Sequence, residues 1–424
     1  MPERRDPRRV SFHDLPGGAR LVVQPAPEGS HRFAASYLGP AGHGFDTAGQ
    51  EGLAEITAEA LLAGTTRLDR AALFREIDRR GGALAVSTDP EMVHLQVEGP
   101  ADEYVRLIGL LAEVLNSPRF APHEIDRIRR ELVEAQLRER QIASLRAETE
   151  LHRRLFPPGH PYRESGAGTF RSVSRIRPSD LATFHRRHYS GRGGVVIVTH
   201  PGPAAPLVRS VAQIMDRWPA DRPATTPPTG GQRRPPSRGP ARISLPGQSQ
   251  VELRIGSMSL ARHSPLYPAA ELADELLGRR PVLSRLFQVI REREGLAYHA
   301  SSQLSALSWG GYWELQAGTS PRQADRALRL LEDEIERLAR EAPDAEELRR
   351  IRESAIGSIP LDLETTSTAH HWAIEIGRYG YPESYLVDWP ERIRAITSAE
   401  LQEAWVKGFD SRHAVIVLAG PISR

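Results

Sequence analysis

Glu55 and Glu59 lie four residues apart in the stretch Gly52-Leu-Ala-Glu-Ile-Thr-Ala-Glu-Ala-Leu-Leu-Ala-Gly-Thr65. Apolar residues recur there with helical period, so the two carboxylates share one helix face. With a third carboxylate such a pair could hold a hard cation such as calcium or magnesium. Ala58 beside them cannot take a proton. The simpler expectation for Glu55 and Glu59 is a solvated helix face. A second set of reactive groups lies in Arg291-Glu-Arg-Glu-Gly-Leu-Ala-Tyr298. A guanidinium fork and a phenol hydroxyl can both donate to a peptide carbonyl or a developing oxyanion. His185 and His188 are three residues apart on a helical stretch, but no third metal ligand is near them in sequence. His370 and His371 are adjacent and so point to different helix faces. Ser249 has no nucleophile-elbow context, and neither a phosphate loop nor a dinucleotide fingerprint occurs.

The 424 residues suffice for two or more domains. Cysteine is absent, which excludes disulfides, thiol catalysis and cysteine–zinc sites. Apolar residues make up 39% and charged residues 26%, as in ordinary globular proteins. The net charge is only +2, with both signs interleaved and no basic stripe, so nucleic acid is not an expected partner. No run approaches the roughly 18 apolar residues of a membrane span. The charged N-terminus lacks the apolar region of a secretory signal. A cytoplasmic protein without membrane association is expected.

Stepping along the chain, strand-like segments occur at 20–24 and 33–38. Helices follow at 51–63 and 69–80, then strands at 83–88 and 92–98. Long helices are expected at 101–116 and 122–155. A helix starts at Pro178-Ser179-Asp180, with Ser179 or Asp180 as N-cap, and a buried-type strand at 194–198 closes this half. The second half repeats the plan. Strands at 241–245 and 251–255 precede helices at 266–277 and 282–293, and strands at 297–304 and 311–317 follow. Helices at 321–340 and 344–357, a last helix from Thr397 and a strand at 414–418 complete it. The repeat implies an α+β fold of two homologous domains, 1–216 and 241–424, each a mostly antiparallel sheet packed with helices. The proline-rich segment 217–240 reads as a linker.

Four segments together resemble the insulinase/pitrilysin family, in particular its processing-protease type. They are Gly52-Leu-Ala-Glu with Gly64-Thr65, Gly159-His160-Pro161-Tyr162 with Gly168-Thr169, Pro246-Gly247-Gln248-Ser249-Gln250, and Leu283-Ser284-Arg285-Leu286-Phe287 with Ile290 to Tyr298. The resemblance implies that the two domains form half of a clamshell, with peptide substrates held as an added strand in an enclosed chamber. Active members carry H-x-x-E-H, whose histidines hold zinc and whose glutamate activates water. In this sequence the frame reads Glu55, Ala58 and Glu59, and the family's remaining ligand falls among Glu134, Ala135 and Gln136. No metal or catalytic residue is therefore expected on this chain alone.

Arg291 and Tyr298 match the family's substrate-contacting pair. The resemblance thus implies a non-catalytic, substrate-binding subunit of a heterodimeric peptidase. Zinc would come from a homologous H-x-x-E-H partner. The alternative is an inert peptide-binding or scaffold homodimer.

Overall fold

The computed structural model describes residues 6–216, 218 and 239–422. Most of the expected 217–240 linker lies outside the described residues. The described chain is mixed α and β, with two sheets.

The first sheet contains β1 (Ser11–Asp14), β2 (Arg20–Pro25), β3 (Arg32–Gly39), β4 (Ala83–Thr88), β5 (Val93–Pro100) and β6 (Val195–His200). Their order is β1-β2-β6-β3-β5-β4. The second contains β7 (Ala241–Ser244), β8 (Val251–Ser259), β9 (Ala297–Ala306), β10 (Gly311–Thr319) and β11 (Val415–Gly420), in the order β7-β11-β8-β10-β9. β2 pairs parallel with β6, and β7 with β11; the other pairings are antiparallel. Apart from β1, the two orders correspond strand for strand, as the repeat implies.

Local chemistry explains the elements. β5 alternates buried and half-buried residues, so one of its faces is wet. β3 is buried from Phe33 to Gly39 and is covered on both faces. Asp69 caps the Arg70–Asp78 helix by accepting from Ala72 N at 2.7 Å. Thr397 and Glu400 form a reciprocal capping box at the Ser398–Gly408 helix. At the Pro178–His188 helix the cap is Arg177 rather than Ser179 or Asp180. Pro178 takes the first turn, where its missing N–H costs nothing, and Asp180 reaches back to Arg177 N at 2.8 Å.

The long helix expected over 122–155 is two helices, Pro122–Glu139 and Ala143–Leu155. The second carries a narrow buried stripe, Ala143, Ala147, Leu151 and Leu155, which packs on β8 and β11. The Thr366–Tyr379 helix does the converse and packs on β6, β3 and β2. Compact packing therefore cuts across the contiguous halves. One unit comprises the described residues of Met1–Gln136, Ser165–Pro228 and Ile359–Asp388, and the other those of Leu137–Glu164, Thr229–Ser358 and Trp389–Arg424. Each half lends one helix to cover the other half's sheet. Close approach needs small residues. A Cβ on Gly256 of β8 would meet Leu151 at 3.0 Å, and one on Gly377 of the Thr366–Tyr379 helix would meet Val22 and Val195 at 3.1 Å.

Candidate functional site

In the first unit, the Leu53–Leu61 helix holds the Glu55, Ala58, Glu59 frame. Gly52 ends the preceding turn at φ +98, a conformation that suits glycine. Asp46 then caps the helix, accepting from Gly52 N and Ala54 N, both at 2.8 Å. Burial pushes the Asp46 carboxyl up to about 7, despite those two hydrogen bonds.

The face bearing Glu55 and Glu59 is not the solvated one expected. The helix is walled in by β4 and by the Pro178–His188 helix, and both glutamates are half-buried. Glu55 accepts a hydrogen bond from the Thr88 hydroxyl at the end of β4. Burial raises the Glu59 carboxyl, and the neighbouring Glu55 and Glu131 raise it further. Ala58 is 1% exposed.

His43 borders the same place. A Cβ on Gly166 would lie 2.9 Å from its Nδ1 and 3.5 Å from Glu55 Oε2. His43 Nδ1 is buried without a hydrogen-bond partner, and burial holds the imidazole down to about 4. These residues do not fit zinc. Ala58 has no donor atom, Glu55 is engaged by Thr88, and Gln136 donates its amide to Ala167 O at 2.8 Å. Among the described residues no three His, Cys, Asp or Glu side chains come together to hold a metal.

The other histidine candidates are structural. His185 bonds Leu115 O at 2.8 Å and stacks on Tyr189. His188 stacks on Phe184 with ring centroids 4.3 Å apart, and burial lowers it to about 4. His370 is buried and His371 exposed, as adjacent helical positions require.

In the second unit, Arg291 lies on a wide π-type helix, Phe287–Arg293, that packs along β9. The regular helix expected at 282–293 is thus widened. Its approach is strained: Val282 is β-branched yet sits at φ +69, and Gln288 Nε2 donates to its carbonyl at 3.3 Å. Arg285 fixes the base of this segment with a forked pair to Glu347 at 2.9 and 2.7 Å. Arg291 itself is exposed, its guanidinium 5.0 Å from the Phe287 ring centroid.

Tyr298 is the extra residue of a β-bulge. Gly318 of β10 pairs with His299 while Thr319 pairs with Ala297, which leaves Tyr298 out of the ladder. A bulge re-aims the unpaired residue, and Tyr298 is 74% exposed. It sits at the start of β9, which is an edge of its sheet. The turn from helix to strand is short: Leu296 N donates to Ile290 O at 2.9 Å, and Gly295 adopts φ +62. Arg291 and Tyr298 therefore project from adjoining elements beside an unpaired strand edge.

Asp46, Thr88 and Glu347 were not among the residues that the sequence analysis singled out. Asp46 could have been suspected as a cap ahead of Gly52; the other two act through long-range contacts with no local signature.

Comparisons with known proteins align with this geometry. The sequence pattern described as Insulinase (Peptidase family M16) matches residues 33–158. The pattern described as Peptidase M16 inactive domain matches residues 175–355. An uncharacterised zinc protease of Streptomyces coelicolor is 25% identical over 83% of this chain and 77% of its own length. A protein of Helicobacter pylori described as a non-peptidase homolog is 20% identical over 84% of this chain and 81% of its own. Among solved structures, a peptidase M16 inactive domain from Pseudomonas fluorescens superposes with a TM-score of 0.89 at 23% identity, covering 98% of both chains. At that identity the likeness shows the fold.

Proposed function

The chain belongs to the insulinase family, peptidase family M16, as a non-catalytic member, and from that premise we propose that it is the substrate-binding subunit of a heterodimeric zinc peptidase acting on peptides in the cytoplasm. Zinc and the general base belong to a homologous partner with intact H-x-x-E-H. This chain contributes Arg291 and Tyr298 beside the edge of β9, where a peptide can pair as an additional strand.

The observation that carries this reading is the contrast between the two sets of residues. The metal frame lacks the family's histidines and its Glu55 is engaged by Thr88, whereas Tyr298 is turned outward by a bulge and is exposed. A purely structural tyrosine at that position would gain nothing from exposure.

Mixing tests the proposal. The pure chain should neither retain stoichiometric zinc nor cleave peptides. Combined with an H-x-x-E-H homologue from the same genome, it should form a one-to-one complex by sedimentation and cleave peptides that neither chain cleaves alone. A homologue fully active by itself and unchanged by this chain would defeat the reading in favour of an inert scaffold.

A further inference from the structure

A cavity of about 360 Å³ opens in the second unit, within the range of roughly 300–1,000 Å³ typical of small-molecule sites. Its Trp309–Gly311 wall is the turn that follows β9, the strand that carries Tyr298. Its aromatic walls are Phe156, His160, Tyr162 and Trp309. Phe156 and His160 stack with centroids 4.5 Å apart, and Tyr162 and Trp309 lie parallel at 6.3 Å. The Trp309 amide donates to Tyr162 Oη at 3.3 Å, which fixes the hairpin turn that carries the indole. Gly311 lets the backbone of β10 pass close to Leu260 at the cavity, because a Cβ there would fall 2.2 Å from Leu260 O.

The polar groups lining the cavity share one character. His160 Nδ1 accepts from Tyr162 N at 3.1 Å, which leaves Nε2 to carry the ring proton as a donor. Burial keeps that imidazole neutral by lowering its pKa. Ser259 has a buried hydroxyl oxygen with no hydrogen-bond partner. Lys407, the chain's single lysine, also lines the cavity. No Asp or Glu does. Lys407 pairs with Glu403 at 2.5 Å, but both side chains are about half exposed, and such pairs contribute little. The ammonium can therefore exchange Glu403 for a bound anion.

We propose that this cavity binds a small aromatic carboxylate, its ring against the aromatic wall and its carboxylate between Lys407 and Ser259. The half-buried Trp309 indole supplies the ring contact, and the ammonium and hydroxyl supply charge-assisted donors. A free aromatic acid and the C-terminal residue of a peptide offer the same chemistry. The inference does not depend on the proposed peptidase partnership.

Calorimetry on the full chain with N-acetyl-L-phenylalanine tests it. Saturable binding is expected, with the ring-less N-acetyl-L-alanine and the uncharged N-acetyl-L-phenylalanine amide each weaker by about tenfold or more. Lys407→Met should weaken the acid about tenfold and leave the amide unchanged, while Lys407→Arg should retain most of the affinity. Trp309→Ala should weaken both. Because Lys407 is exposed, its variants stay folded even if Trp309→Ala does not, and a thermal melt of each confirms this. Equal binding of a peptide ending in free phenylalanine assigns the ligand to peptide termini; binding of the free acid alone assigns it to a small molecule. No saturable binding by the folded chain, or acid and amide binding equally, would overturn the proposal.

Discussion

β4 and β9 occupy the same edge position in the two repeated sheets, yet terminal side chains of the two strands are used in opposite ways. β4 closes on Thr88, whose hydroxyl is committed to Glu55. The turn beyond it is also tied down, since Arg378 Nη1 meets Asp89 Oδ2 at 2.5 Å and Nη2 meets Glu91 Oε2 at 3.2 Å. β9 begins instead with a bulge that expels Tyr298 into solvent. The duplicated fold therefore carries two unpaired edge strands, one with its last side chain tied to the Glu55 frame and one that presents a side chain to solvent. The Thr88 bond meets a physical need, since a half-buried glutamate without a cation needs another partner.

The sheet faces under the two exchanged helices differ as sharply. Under the middle of the Thr366–Tyr379 helix the polar groups are neutral, the charged pairs of Arg378 lying at its C-terminal end. Ser36 Oγ lies 2.9 Å from His94 Nε2 and 2.8 Å from His370 Nε2, while Thr199 Oγ1 lies 2.8 Å from His370 Nδ1 and donates to Gln24 at 3.1 Å. Under the Ala143–Leu155 helix they are charged. Arg254 pairs with Glu314 and, at 3.5 Å, with Glu148, and Glu252 lies 3.4 Å from His299. Removing one member of a buried ion pair strands the other charge, which costs about 3–5 kcal/mol. A lost neutral hydrogen bond costs about 1–3 kcal/mol. Arg254→Ala should therefore destabilise the chain more than Thr199→Val in urea titrations. The double variant Arg254→Leu with Glu314→Leu should recover most of the loss. Equal losses in the two single variants would erase the distinction between the faces.

Acid offers a second way to separate the units. Burial holds His43, His94 and His188 down to about 4 and His370 to about 3. All four belong to the first unit. Each is neutral in the fold and gains a proton on unfolding below about pH 6.5, so the unfolded state binds more protons. Stability is then fully present above pH 6.5 and is lost as pH falls towards 4. The loss for His370 alone is on the order of 3 kcal/mol or more at full titration. Asp46 works the other way. Its raised pKa makes the folded state hold a proton between about pH 4 and 7, so its contribution declines as pH rises through that window. Thermal melts from pH 7 to 4 should show a steep loss that His370→Gln flattens and Asp46→Asn steepens. An unchanged slope in His370→Gln would show that the buried histidines do not govern acid stability.

The sequence made the repeat legible because both halves carry the same periodicities and turn residues. β3 and β5 could be read from their apolar patterns, and the cap at Thr397 from Thr-Ser-Ala-Glu. The helix at Ala204–Ile214 was not anticipated, and the helix expected around His370 and His371 had no bounds before the structure set them at Thr366–Tyr379. The second of these mixes His370, Thr366 and Gly377 into its buried face, which blurs its apolar stripe. The break after Glu139 was also missed. What ends that helix is the destination of Ala143–Leu155 on another sheet, a tertiary matter rather than a local one. At the candidate site, the chain shows which residues replaced the metal ligands. It does not show that Thr88 would take up Glu55, nor that Gly318 opposite His299 would leave Tyr298 unpaired. Both depend on strand register, which pairs residues far apart in sequence.

The smallest structural change promises the most informative readout of the contrast between the edges. Tyr298→Phe deletes one hydroxyl from an exposed ring. Surface substitutions of this kind usually lie within about 0.5 kcal/mol of neutral, so the thermal melt of the free chain should not move. Arg291→Ala should be nearly as mild, since its contact with Phe287 at 5.0 Å is an exposed cation–π pair worth about 0.5–1 kcal/mol. Under the proposed function, by contrast, either change in the reconstituted complex removes a donor to a substrate carbonyl. Loss of such a donor costs roughly 10²–10³ in turnover where the site is preorganised; an exposed edge places the expectation at the lower end. Steady-state kinetics beside a melt of each variant distinguishes the two roles. Unaltered turnover in Tyr298→Phe, with assembly and the partner's zinc intact, would reduce the bulge to a packing feature and leave the two edges functionally alike.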